Sequence, residues 1–359
     1  MCKLRLLLQA IRRNERGQII VLAGLLMTVL MGFTALAIDV GSMASDKSDL
    51  QNAADAMALA AAQDFPIPGQ VEVSAREWAT KNGVDPNEIE SIHIEQQSLP
   101  SVPNPRVTVT LSRDHGFIFA KALGISSTDI EASASAIKTS FGGDGGLMPW
   151  TVLKALKDAA IPGQTLTLKY DSNDASSGNF GAIRIDGSGS SVYLETLEHG
   201  ANSAICSEPA IAAGCQENAP ECYDAQCDPA TGNLVGATRT GVDYRMNNTD
   251  SACDTFEEAF ASNGDGTWRL NALCNPFLGG SKPSLQVIII PVVDNLGNGQ
   301  SPLTITDFAL FYLEGYANGK CSGNRCEIQG RFVRADISTG GLVGVYDPSS
   351  LLQFVKLVQ

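Results

Sequence analysis

Hydrophobic and polar positions follow three different rhythms along this chain. From Ile19 to Ile38 no charged residue interrupts an apolar run of 20 positions, and Asp39 follows at once. As a helix, that run spans about 30 Å, the thickness of a bilayer's hydrocarbon core. The next stretch, DKSDLQNAADAMALAAAQDF (46–65), holds neither Pro nor Gly and has seven alanines between 53 and 62, so helix is strongly preferred. Together the two predict one helix from about Gly17 to Asp64, roughly 70 Å long. Gly24, Thr28 and Gly32 recur every fourth position on one face, and Ala54, Ala58 and Ala62 repeat that spacing beside Leu50, Met57 and Ala61. Small side chains in such rows let another helix approach closely, so both sets are read as a packing seam.

From Val71 the rhythm becomes mixed. VEVSAREWATKNG places Val73, Trp78 and Ala79 on a helix that Asn82-Gly83 can stop. SIHIEQQ, PRVTVTLSR and DIEASASAI alternate as strands, with a short apolar helix GFIFAKALG between the last two. FGGDGG (141–146) reads as a linker, because glycines flex and little in it can pack. Strand-like runs then dominate: TLTLKYD, GNFGAIRID, LQVIIIPVV, PLTITDFALFYLEGY and EIQGRFVRAD, with helix candidates SVYLETLEHG and DTFEEAF. The predicted class is α+β. A leader (1–16) precedes the transmembrane and extended Ala-rich helix (17–64), a small α+β module (65–140), a Gly-rich linker (141–148) and a β-rich domain (149–359).

Charge adds an orientation. Of a formal net charge of −14, the leader carries +4 through Lys3, Arg5, Arg12, Arg13 and Arg16 against Glu15, leaving −18 for the rest. The basic leader belongs in the cytoplasm and the remainder outside it. An acidic exterior argues against a nucleic-acid partner. A cleaved signal peptide competes with a retained anchor, since Ala35-Leu36-Ala37 has the pattern of a cleavage site. Signal-peptide cores run about 7–15 residues, however, and this one is longer, which favours an inner-membrane, single-pass anchor.

Cysteine usage sharpens the compartment. Of nine cysteines, Cys2 lies in the leader, and Cys206, Cys215, Cys222, Cys227, Cys253, Cys274, Cys321 and Cys326 all lie beyond the apolar run. An even set on one side of a membrane segment reads as disulfides in an oxidising space. Zinc wants close pairs with two intervening residues, and the sequence has none. CSGNRC separates two strand candidates with a Gly-Asn pair suited to a tight reversal, so Cys321 is expected to bond Cys326. Cys253 with Cys274 is the second expectation. The remaining four would pair among themselves in an open order.

Candidate chemistry is sparse. There is no Gly-x-Ser-x-Gly elbow, Walker loop or His-Glu-x-x-His. His93, His115 and His199 are isolated and read as structural. Asp254, Glu257 and Glu258 fall on the first turns of a helix, where carboxylates are favoured anyway. SNGDGT and YDSNDASSGN are rich in oxygen ligands, but neither has the 12-residue calcium loop with its terminal Glu, so solvated turns are preferred to calcium. No catalytic, cofactor or metal residue is assigned.

RRNERGQIIVLAGLLMTVLMGFTALAIDVG followed by NAADAMALAAA resembles the N-terminal segment of TadE/TadG-like proteins, pilin-like accessory components of Flp-type (tight-adherence) pilus assembly. GNFGAIRIDGSG, GVDYRM and VIIIPVVDN resemble the extracytoplasmic part of such proteins. The resemblance implies a long N-terminal helix packed on a small sheet, membrane association and other pilin-like subunits as partners. Two departures matter. Pilin precursors are cut after a Gly and typically carry Glu as the fifth mature residue; with Gly17 as the cut point that residue is Leu22, so processing and ordinary polymerisation are not expected. The von Willebrand A-like domain of large TadG-type members needs Asp-x-Ser-x-Ser, and Gly178 stands where the last Ser should be. Two function classes therefore remain: a non-enzymatic, membrane-anchored pilus or secretion component with adhesive or assembly contacts, or an anchored extracytoplasmic enzyme or carbohydrate-binding protein.

Overall fold

The computed structural model describes residues 15–170, 180–230, 234–277, 280–296, 301–322, 325–336 and 341–358. Helix α1 runs unbroken over Glu15–Ala62, 48 residues, or about 72 Å at 1.5 Å per residue. Its outer half lies on an antiparallel surface made by β1 (Ile89–Glu95), β2 (Arg106–Gly116) and β3 (Ser127–Asp144). Strand alternation turns Val107, Val109 and Leu111 of β2 and Ile130, Ala132, Ala134 and Ala136 of β3 to one face. All are buried in one cluster with Leu50, Ala54, Met57, Ala58 and Ala61. Alanine on both partners lets helix and strand come close, and Leu50 and Met57 fill what space remains. Helix α2 (Pro68–Lys81) closes the side with Val71, Ala75 and Ala79, a row at helical spacing. Of Val73, Trp78 and Ala79, only Ala79 is buried.

The main path of the second sheet is formed by β4 (Trp150–Leu153), β5 (Thr165–Tyr170), β6 (Phe180–Ala182), β7 (Val287–Val293), β8 (Leu303–Ser322) and β9 (Arg325–Val333). Its order is β5-β9-β8-β7-β4-β6. Strand β7, VIIIPVV, is buried at every position. Val287, Ile289 and Val293 feed the core on one face, while Ile288, Ile290 and Val292 feed the core on the other. That two-sided burial is why the run is continuously apolar rather than alternating. Helices α3 (Ser190–His199) and α4 (Val235–Asn248) cover the second face through Tyr193, Leu197 and Val242. The Trp150 indole donates to the Tyr193 hydroxyl at 2.8 Å, so the largest buried ring has its polar atom satisfied.

The expected linker at 141–148 is corrected by the structure. Phe141–Asp144 continue β3 and pair with Leu342–Val343 on one side and Ile205–Cys206 on the other. Phe141 is buried edge-on against Phe308, ring centroids 5.2 Å apart. A Cβ on Gly142 would lie 2.7 Å from the Val343 carbonyl oxygen, and one on Gly143 (φ +144°) 2.0 Å from that of Ile205. These glycines allow close backbone approach; they do not supply a hinge. The chain's last strand, β10 (Leu352–Val358), also returns to pair antiparallel with β3, from Gln353↔Ser140 to Val358↔Ser135. The first sheet thus takes in strands from the far end of the chain, where separate modules at 65–140 and 149–359 were expected. GFIFAKALG forms only a 3₁₀ turn, Ala120–Leu123.

Four disulfides staple the outer part: Cys206–Cys215, Cys222–Cys227, Cys253–Cys274 and Cys321–Cys326. The last crosses the β8–β9 hairpin between directly opposed residues, Cα atoms 4.4 Å apart. Its turn residues 323–324 lie outside the described residues.

Candidate functional site

Helix α1 is the part of the molecule whose surface is unlike a soluble protein's. Between Ile19 and Ile38 its large apolar side chains are exposed on every side, Ile20 at 75 % and Phe33 at 67 %. Among the described residues it is the helix long and apolar enough to cross a bilayer, and none of its apolar window is buried in the protein. Its hydroxyls are satisfied internally: Thr28 Oγ1 donates to the Gly24 carbonyl at 2.8 Å and Thr34 Oγ1 to that of Leu30 at 2.9 Å. A helix in lipid must meet its polar needs in this way.

The expected seam divides in two. At Gly24 and Gly32 an added Cβ would meet nothing within 4 Å, and Thr28 beside them is exposed, so this row is open. Ala54, Ala58 and Ala62 are fully buried against the chain's own sheet and α2. The outer half of the seam is therefore corrected: its close-approach partners are the chain's own sheet and α2, and no helix of another molecule can reach it in this fold.

Where the apolar run ends, a polar collar fastens α1 to the sheet. The Asp39 carboxylate accepts the backbone N–H of Ile118 (2.9 Å), Phe119 (3.0 Å) and Ala120 (2.7 Å). His115 Nδ1 lies 2.7 Å from Asp46 Oδ2, and its Nε2 lies 3.4 Å from the Ser42 hydroxyl. Further along, Lys47 donates to the Glu131 carbonyl and Gln51 to that of Ser133 at 3.0 Å. Beyond the helix C-terminus the buried Lys138 ammonium donates to the Gln63 carbonyl at 2.8 Å, placing a cation where the helix dipole favours one. Beside the collar, Arg113 grips Glu88 through two nitrogens, at 2.5 and 3.0 Å. That bidentate hydrogen bond holds the Glu88 carboxyl below its ordinary range against a smaller opposing effect of burial. Sequence reasoning missed the role of Asp39, whose partners are backbone groups some eighty residues away.

Other candidate chemistry is dispersed. His93 is exposed on β1, and His199 ends α3 with its ring 5.2 Å from that of Tyr244. Glu258 closes a capping box with Thr255, and Glu257 pairs with Arg331 at 3.3 Å. In SNGDGT, Asp265 accepts from the N–H and hydroxyl of its neighbour Thr267, as a turn residue does. Most of YDSNDASSGN (171–179), with the Asp174–Gly178 run, lies outside the described residues. Among the described residues no three His, Cys, Asp or Glu side chains gather to hold a metal. Two buried cations have structural partners. Lys157 pairs with Asp307 at 2.8 Å, which also accepts from Ser350. Arg245 donates to the carbonyls of Leu197 and Leu285, and burial pushes its guanidinium down to about 10. A cavity of about 220 Å³ beside α3 is lined by Arg184, Ser190, Tyr193, Thr196 and apolar neighbours, with no carboxylate or imidazole in its wall.

Residues 17–64, which are helix α1 almost to the residue, match the model of a family described as Flp pilus-assembly TadE/G-like. No curated protein and no solved structure matches the chain. The comparison thus falls on the lipid-like half and the collar together and associates that segment with pilus assembly.

Proposed function

We propose that this protein is a non-enzymatic, membrane-anchored component of a Flp-type pilus or a related secretion apparatus. The basic leader lies in the cytoplasm, Ile19–Ile38 crosses the inner membrane, and everything after Asp39 folds outside. One observation carries the reading: a single continuous helix exposes its large apolar side chains on every side from Ile19 to Ile38 and buries one face against its own sheet and α2 from Leu50. The open row Gly24, Thr28 and Gly32 is the surface for other pilin-like helices. The disulfide-stapled outer domain makes assembly or surface contacts, in keeping with an oxidising compartment.

Alkaline extraction of membranes, together with intact mass of the mature protein, tests this. The expected result is an unextracted chain retaining Ile19–Ile38. A mature chain beginning at Ile38 contradicts the anchor, and one beginning at Gln18 makes the protein a processed pilin. Recovery with sheared filaments or with membranes then separates a filament subunit from an assembly component.

A further inference from the structure

We propose that the loop 117–125 is a second membrane-contacting element, which inserts apolar side chains into the outer leaflet beside α1. This rests on the anchoring reading above. The loop carries Ile118 at 64 %, Leu123 at 84 % and Ile125 at 53 % exposure, a concentration of large apolar surface that a water-facing loop does not tolerate well. Its height is set by Asp39, whose carboxylate holds the loop backbone at Ile118–Ala120 where the apolar run ends. From there the loop turns towards the lipid half of the helix. Phe119, Ala122 and Leu123 face Met27, Leu30 and Ala35 across an open groove of about 810 Å³. Met27 lies roughly 18 Å along the helix from Asp39, so the groove reaches well into the apolar span.

Two further features suit this loop to lipid. Its backbone is largely closed on itself: Phe117 N–H to Ser126 O (3.0 Å), Ala122 to Phe119 (3.0 Å), Gly124 to Lys121 (3.1 Å) and Ile125 to Ala120 (3.2 Å). Asp39 takes the N–H groups of Ile118, Phe119 and Ala120. Satisfied backbone under apolar side chains is what the bilayer boundary demands. The loop's sole charge is the exposed Lys121, whose long stem can carry an ammonium up to lipid phosphates. With α1 and this loop both in lipid, the outer module cannot swivel freely on its anchor, and its sheet is held at a fixed height and facing.

The test is bromolipid quenching of tryptophan in the full chain, reconstituted into phosphatidylcholine–phosphatidylglycerol vesicles. Leu123→Trp is compared with Leu30→Trp in the span and with Tyr223→Trp, an exposed position (79 %) in the outer domain. All three side chains are exposed, so the fold should survive each change. Acyl-brominated lipid is expected to quench Leu123→Trp about as strongly as Leu30→Trp and to leave Tyr223→Trp unchanged. Quenching at Leu30→Trp without quenching at Leu123→Trp overturns the proposal and leaves the anchor standing. No quenching at either position overturns both.

Discussion

Residues 19–38 and 50–62 belong to one unbroken helix, and both carry small residues at every fourth position, yet their surroundings are opposite. In the first stretch Leu25 and Leu30 stand exposed and the small-residue row faces open space. In the second, Leu50 and Met57 are wholly buried and the alanine row lies flat against β2 and β3. A small-residue row records that something comes close; it does not record what. Before Asp39 the chain leaves the row uncovered, beyond it the chain itself covers the row, and the collar at Asp39 marks that change.

The comparison breaks most visibly if truncations in the two halves cost the same. Leu50→Ala or Met57→Ala should destabilise the folded outer part by about 2–5 kcal/mol, as cavity-forming core changes do. Leu25→Ala and Leu30→Ala should leave its unfolding midpoint unchanged in detergent, and denaturant titration reads the difference. Next in size is Asp39→Ala, which removes a carboxylate from three N–H groups. A loss of stability is expected, since three N–H groups lose their acceptor, with faster amide exchange at Ile118–Ala120 as its local signature. Unchanged exchange there would mean that the collar does not hold the loop.

Enlarging side chains sharpens the contrast. Ala58→Leu should cost about 1–3 kcal/mol by overpacking the sheet. Gly24→Leu should leave folding intact and reduce recovery of the protein with its assembly partners, whereas Leu25→Ala should not. The smallest effect concerns Glu88. Glu88→Gln should lower stability at neutral pH by about 1 kcal/mol, since it breaks a partly buried bidentate pair. The folded-state carboxyl lies below its ordinary 4.5, so the difference is fully present above that pH and fades as pH falls through the lowered value. A gap that widened in acid would reverse the sign of this account.

The long helix and the alternating strands were legible because periodicity is written locally: VTVTL and IEASASA announce a half-buried pair without reference to the rest of the chain. The features that failed to show depend on distant backbone. FGGDGG looks the same whether its glycines flex or admit a neighbouring strand, and only Val343 and Ile205, packed against it, decide between the two. The pairing of Val358 with Ser135 spans most of the chain and has no local sign. Asp39 was visible as the first charge after the apolar run, but its N–H partners carry no side-chain signature. Trp78 shows the converse: a large ring invites assignment to the core, while the narrow space beside α1 admits only Val71, Ala75 and Ala79.

The central claim is that one helix changes medium at Asp39. An oxygen-relaxation scan with spin labels placed singly from position 20 to position 62, in the full chain in bilayers, tests it most directly. High oxygen accessibility is expected through Ile38, dipping only along the Gly24–Thr28–Gly32 face when partners are present. Beyond the collar a drop to a 3.6-residue periodicity is expected, with minima at Leu50, Ala54 and Ala58. Uniform accessibility across Asp39, or periodic protection already established between Ile19 and Ile38 in the isolated protein, would contradict that claim.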